Sequence, residues 1–192
     1  MKSNYIIFDA DGVLLDTLPY IIKWFFTNIP NFDISKLFKI KMDYLVEEFA
    51  NDFDAFSNIP PINGAVDFVK KLSQNYKIDV ISAYGGNIRR FIARTENIHK
   101  YFGNSINRVL NMPQDESKEI LYNQYEKGTV VIDDDMSNCK KALNMGLQPF
   151  YYRYYFSVLN RKSPKIDKEI RNKIPSVSKY SEIEKYLIGK ER

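Results

Sequence analysis

Near the start of the chain, two carboxylates and a glycine close a short apolar run, Tyr5-Ile6-Ile7-Phe8-Asp9-Ala10-Asp11-Gly12. A run this short, rich in Ile and aromatics, reads as a strand buried on both faces. Continued past Phe8, it would turn Asp9 and Asp11 to one face of the core. No adjacent basic residue neutralises them, and an unpaired buried charge is prohibitive. The chain is therefore expected to leave the sheet at Asp9, with Gly12 permitting the turn. Both acids then stand at the carboxyl end of a strand, where ligands bind in open parallel sheets.

Three further groups have the same character. Asp133-Asp134-Asp135 follows Val130-Val131-Ile132 directly. Three consecutive acids at the end of a buried strand repel one another. Capping the next helix accounts for one of them and not for three. A positive group is required, and oxygen donors without a histidine cluster point to a hard cation such as Mg²⁺. Ser82 closes the run Lys-Ile-Asp-Val-Ile-Ser and precedes Ala83-Tyr84-Gly85-Gly86-Asn87. A hydroxyl at a strand tip, with glycines that let backbone N–H groups turn inward, suits a phosphate oxygen. Lys118 lies just inside a predicted helix.

The elements that must position these groups follow from the apolar spacing. Residues 18–28 read as a helix with Pro19 in its first turn. Its apolar residues Ile21, Ile22, Trp24, Phe25 and Phe26 go nearly all the way round, so it is expected to be covered on more than one side. Met42, Leu45, Val46, Phe49 and Ala50 give a second helical stripe, and Pro60-Pro61 stops it. From Gly64 onward helix and strand alternate. Helical stripes are expected at Ala65, Phe68, Val69 and Leu72; at Ile88, Phe91, Ile92 and Thr95; at Ile120, Leu121 and Tyr125; and at Cys139, Ala142 and Leu143, stopped near Gly146. Strands are expected at 77–82, 106–110, 129–132 and 148–152. This alternation predicts an α/β fold, a parallel sheet with helices on both faces. The aromatic run from Tyr151 to Phe156 is expected to finish a strand and pack over the sheet edge. Ser181-Glu182-Ile183-Glu184 is a capping-box pattern opening a terminal helix through Leu187.

Bulk properties narrow the classes. The 192 residues suffice for one domain with a small appendage, and 44% hydrophobic with 27% charged residues is ordinary for a globular protein. A single cysteine, Cys139, cannot form an internal disulfide, which fits a reducing compartment. No leader pattern and no apolar stretch of membrane-spanning length is present, so a cytoplasmic location is expected. From Arg153 to Arg192 there are 11 Lys and Arg against 5 Asp and Glu. These basic residues are spread through Ile166, Ile170 and Ile174, which reads as a solvated amphipathic helix rather than a nucleic-acid footprint.

In chain order the signals are Asp-x-Asp-Gly, a strand-end Ser, a Lys and a strand-end Asp-Asp. With FDADGVLLDT, VISAYGGN, SKEIL and VVIDDDMSNCKKALNMG standing for its four motifs, residues 4–150 resemble the haloacid dehalogenase-like superfamily, and specifically its phosphatase branch. The resemblance implies a Rossmann-like three-layer parallel core of residues 1–16 and 61–192, with residues 17–60 as a small α-helical cap. It implies a Mg²⁺-dependent phosphomonoester hydrolase acting through an aspartyl-phosphate on a small soluble metabolite or nucleotide. Asp9 takes the place of the nucleophile and Asp11 that of the general acid/base. Ser82, Ala83 and Lys118 take the places of the phosphate-binding groups. Mg²⁺ would be held by Asp9, the backbone carbonyl of Asp11 and Asp134, with Asp133 as a ligand or just behind. Asn138 stands where many members carry a further acid. The alternatives are a phosphomutase of the β-phosphoglucomutase type and a non-catalytic phosphate- or nucleic-acid-binding protein on the same fold. Asp11 argues against the carbon chemistry of the dehalogenases, which lack this second acid.

Overall fold

The computed structural model describes residues 3–30, 48–83, 87–154 and 168–189. Six strands form one sheet: β1 (Tyr5–Phe8), β2 (Lys77–Ala83), β3 (Arg108–Met112), β4 (Val130–Asp133), β5 (Gln148–Tyr152) and β6 (Ser176–Val177). Every pairing is parallel and the order is β3-β2-β1-β4-β5-β6. The helices described from end to end are α1 (Thr17–Asn28), α2 (Phe53–Phe56), α3 (Ala65–Leu72), α4 (Ile88–Phe102), α5 (Glu119–Tyr122), α6 (Met136–Asn144), α7 (Lys168–Lys173) and α8 (Tyr180–Gly189). The fold is a Rossmann-like α/β sandwich, and β1, which leads directly into Asp9, lies at its centre.

Strand alternation sends successive residues to opposite faces, and both faces are covered. Ile6, Phe8, Ile78, Val80, Val130 and Ile132 pack in one cluster, which extends through Phe68 and Val69 of α3 and Ile183 of α8. Ile7, Ile81 and Val131 point the other way, against Tyr122 and Ala142. Burial on both sides is why these strands read as unbroken apolar runs.

The chain leaves the sheet and returns through one short bridge. Gly12 has φ 70°, the left-handed region that glycine enters without penalty, and Leu14 and Leu15 N–H both donate to Ala10 O. Leu15 then pairs antiparallel with Pro61, so the two ends of the segment from Thr17 to Pro60 lie side by side. Within that segment Ile21, Phe25, Phe49 and Phe56 are buried in the same cluster as β1, and its core is continuous with that of the sheet.

Several details differ from the sequence reading. Phe26 is exposed and the fully buried residues of α1 lie on one face, so the helix is not covered all round. Strand β3 begins two residues later than expected. In α4 the phase is different: Ile88 and Ile92 face solvent, and Ala93, Arg94, Asn97, Ile98 and Phe102 face inward. Polar residues occupy this inner face because partners await them; Asn97 Nδ2 donates to the carbonyls of Ser57 and Ile59, 2.9 Å each. Helix α5 is a single turn that buries Tyr122 and leaves Ile120 exposed. Helix α8 starts at Tyr180, ahead of Ser181, and Ser178 rather than Ser181 hydrogen-bonds Glu182. The edge strand β6 was not foreseen; it is two residues long. The aromatic run finishes β5, which is not an edge strand, and Tyr152 stacks on Tyr154 and Tyr180. Met42, Leu45, Val46, Tyr155, Phe156 and Ile166 lie outside the described residues.

Candidate active site

Asp9 follows β1 immediately, its N–H donating to Ile132 O at 2.8 Å, and Asp133 is the last residue of β4. The neighbouring strand tips bring these acids together. Lys118 caps α5 one helical turn before Tyr122, on the face that packs against Val131 of the sheet. Its side chain therefore points at the tips of β1 and β4. Nζ lies 2.9 Å from Asp9 Oδ1 and donates to Asp133 Oδ2 at 2.7 Å. With the ammonium 5% exposed, Asp9 12% and Asp133 1%, the cluster is almost closed to water. Burial works against the charged form of Lys118, but Asp133 and Asp9 reverse this and hold its pKa well above the ordinary value.

The three consecutive acids divide into three roles. Asp133 accepts from Lys118 and, through Oδ1, from Asp135 N–H at 2.8 Å and Asn138 Nδ2 at 3.3 Å. Asp135 caps α6, accepting from Ser137 N–H at 2.7 Å. Asp134 forms no hydrogen bond or ion pair among the described residues. Asn138, which stands where the resemblance places a further acid in many members, donates to Asp133.

Asp9, Asp133 and Asp134 each offer a carboxylate oxygen within 4.8 Å of the others. Three carboxylates face a single ammonium. Burial pushes the Asp9 carboxyl up to about 7, with Lys118 pulling down and Asp133 and Asp11 pushing up. Asp134 is driven well above the usual carboxylate range by burial, Asp9 and Asp133. A hard divalent cation fits this all-oxygen, charge-deficient set. A measurable consequence follows from the sign of these shifts. A carboxyl whose pKa is raised by folding keeps its proton where the unfolded chain has lost it, so metal-free stability falls as pH rises from about 4 to about 7. Mg²⁺ would displace those protons, so its stabilising effect grows over the same range. Melting curves with Mg²⁺ and with chelator should therefore diverge as pH rises; a constant gap would argue against a cation at these acids.

An open cleft of about 370 Å³ lies over the cluster, with Asp9, Asp11, Ala83, Lys118, Asn138 and Lys141 on its wall. Ser82 is fully buried at the end of β2, and its Oγ has no hydrogen-bond partner among the described residues. An unpaired buried hydroxyl is costly, and the next residue, Ala83, lies on the wall of the cleft. The sequence-derived set of Asp9, Asp11, Ser82, Ala83, Lys118, Asp133 and Asp134 thus gathers at the carboxyl ends of β1, β2 and β4.

One residue of the site escaped the sequence reading. Arg94 of α4 is 1% exposed, and its Nη2 donates to both oxygens of Asp11, at 2.7 and 2.8 Å. Thr17, the first residue of α1, donates to Asp11 Oδ1 as well. A helical wheel anchored on Ile98 and Phe102 would have turned Arg94 inward, because it stands four and eight residues before them.

Similarity to known proteins agrees with this geometry. No protein-family model matches the chain. It is 29% identical over 111 residues to an uncharacterized 32.4 kDa protein of enterobacteria phage T4, a match covering 56% of this chain and 40% of the phage protein. Solved structures match along nearly the whole length. YfnB from Bacillus subtilis, a HAD-hydrolase-type protein bound to magnesium, superimposes with a TM-score of 0.68 at 14% identity, over 97% of this chain and 99% of that one. A 2-haloacid dehalogenase from Pseudomonas syringae gives 0.57 at 12% over 98% and 99%. A D,D-heptose 1,7-bisphosphate phosphatase from Burkholderia thailandensis gives 0.55 at 11% over 96% and 98%. The chain has the haloacid dehalogenase-like fold. Among the described residues no helix is long and apolar enough to cross a membrane.

Proposed function

We propose that this protein is a phosphomonoester hydrolase working through an aspartyl-phosphate. The observation that carries the reading is Lys118 buried between Asp9 and Asp133 beneath an open cleft, with Asp11 on the same wall. A carboxylate cannot approach a phosphate dianion until their repulsion is cancelled; Lys118 supplies one positive charge beside Asp9, and a cation on the surrounding acids would supply the rest. Asp9 attacks phosphorus, forming a P–O bond as the bond to the leaving oxygen breaks. Asp11 delivers a proton to that oxygen. Water then attacks the phosphorus of the acyl phosphate, Asp11 takes up its proton, and Asp9 is released with inorganic phosphate. Lys118 and the Ser82 hydroxyl hold phosphoryl oxygens. A divalent cation on Asp9, Asp134 and the Asp11 carbonyl would supply further charge neutralisation to those oxygens.

The dehalogenases of this fold have carbon as the centre of attack. Asp11, clamped in place beside the cleft, supports proton transfer to an oxygen leaving group instead. Residues 17–60 would form a cap whose helices border the site and choose the leaving group. The substrate would be a small soluble phosphate ester.

The test is a panel of nucleotides, sugar phosphates and an aryl phosphate, assayed for inorganic phosphate with Mg²⁺ and with chelator in ¹⁸O-labelled water. Hydrolysis puts label into the released phosphate in a Mg²⁺-dependent manner. Turnover with little label in phosphate would instead indicate transfer to a second hydroxyl, as in a mutase. Silence across the panel would sink both.

A further inference from the structure

The carboxylate that handles protons in the proposed reaction is held from behind by an arginine outside all four motifs. Arg94 has almost no contact with solvent, and its guanidinium lies 4.5 Å from the ring centroid of Phe56 in α2. Burying a guanidinium is expensive, and removing its partner is more so. The pair with Asp11 is therefore a built feature and not a surface contact. One turn further along α4, Asn97 is tied to the carbonyls of Ser57 and Ile59, which fixes the helix against the segment following α2.

The contacts leave the two oxygens of Asp11 unequal. Oδ1 accepts from Arg94 and from Thr17, whereas among the described residues Oδ2 accepts from Arg94 alone. A carboxylate oxygen offers two acceptor directions, so Oδ1 is saturated and Oδ2 keeps one open. Asp11 is about one-third exposed and lines the cleft beside Asp9.

We propose that Arg94 is a positioning residue that clamps Asp11 and assigns Oδ2 as the oxygen exchanging the proton. In the first step the proton passes from Oδ2 to the leaving oxygen as its bond to phosphorus breaks. In the second it returns from the attacking water to Oδ2. Arg94 steadies the carboxylate left behind between these steps. This rests on the hydrolase reading above.

The experiment compares kcat/KM for an alkyl phosphate, whose leaving oxygen needs a proton, with that for p-nitrophenyl phosphate, whose leaving group is stable as an anion. Wild type, Arg94→Met, Arg94→Lys, Asp11→Asn and the Asp11→Asn/Arg94→Met double variant are measured, each with a thermal melt. The Arg94→Met variant should lose about 10²-fold on the alkyl ester and far less on p-nitrophenyl phosphate. The double variant should be no worse than Asp11→Asn alone on the alkyl ester. Arg94→Lys keeps the charge with a single point of contact and should show the same selective loss to a smaller degree, so it carries the comparison even where Arg94→Met fails to fold. Equal losses on the two substrates, or additive losses in the double variant, would mean that Arg94 only supports the fold and would overturn the proposal. A folded wild-type protein inactive on both esters with Mg²⁺ would overturn the hydrolase reading itself.

Discussion

Replacing Asp9 by asparagine should abolish phosphate release, by at least about 10⁴-fold, the scale at which loss of a covalent nucleophile is felt. The amide is nearly isosteric and its oxygen can still accept from Lys118, so the cluster keeps its shape. It cannot form the acyl phosphate. The same variant should be no less stable without metal than the parent, and this separates catalysis from folding. Burial raises the Asp9 carboxyl to about 7, which marks its ionised form as disfavoured in the metal-free fold. Removing that carboxyl relieves Asp134 and Asp133 of a like neighbour. Steady-state phosphate release and a chelator-treated melting curve test both halves. A folded Asp9→Asn protein with full activity would show that Asp9 is not the nucleophile.

Lys118→Met should have the opposite profile, costing stability as well as activity. Lys118 is the ammonium that touches both Asp9 and Asp133 in an almost water-free cluster. Methionine follows the lysine stem to Cε and leaves the two carboxylates buried without their counter-charge. Breaking a buried pair in this way costs about 3–5 kcal/mol. The midpoint of denaturant unfolding without metal should drop accordingly, and Mg²⁺ should restore part of it because a cation can take over the charge. Activity should fall by about 10²–10³-fold even with Mg²⁺, as for the loss of one preorganised donor to a developing oxyanion. An unchanged midpoint in chelator would show that Lys118 is not the group that makes this cluster tolerable.

The two variants differ because of where charge sits before any ligand arrives. Asp9 belongs to an excess of negative charge, and Lys118 is its compensation. That imbalance is what these acids offer a cation.

Much of this was legible in the sequence because the signals are local. Apolar runs of four and three residues ended by acids located β1 and β4, and the period-two burial of their residues on both faces accounts for the runs. Gly12 was read as the turn that takes Asp9 and Asp11 out of the sheet, and its φ of 70° is the reason glycine stands there. The order of Asp9, Ser82, Lys118 and Asp133 along the chain brought them together once the sheet was known to be parallel, because every strand then ends on the same side. Capping accounts for one of the three acids in the sequence without saying which, and it is Asp135 that caps α6.

What was not legible depends on partners distant in the chain. The phase of α4 was set on Ile88 and Ile92, by ordinary hydrophobicity, yet both face solvent while Arg94 and Asn97 point inward. Those two polar residues are affordable only because Asp11 and the carbonyls of Ser57 and Ile59 meet them, 38 to 83 residues away in sequence. Likewise, three adjacent aspartates look equivalent until folding gives one a lysine, one a helix to cap and one an open position. The sequence by itself determined the strands, the turn and the residue types at the carboxyl edge, because local sterics and burial decide those. Only the tertiary structure decided which carboxylate Lys118 neutralises and which Arg94 clamps, because the energy of a buried charge depends on what stands within a few ångströms of it.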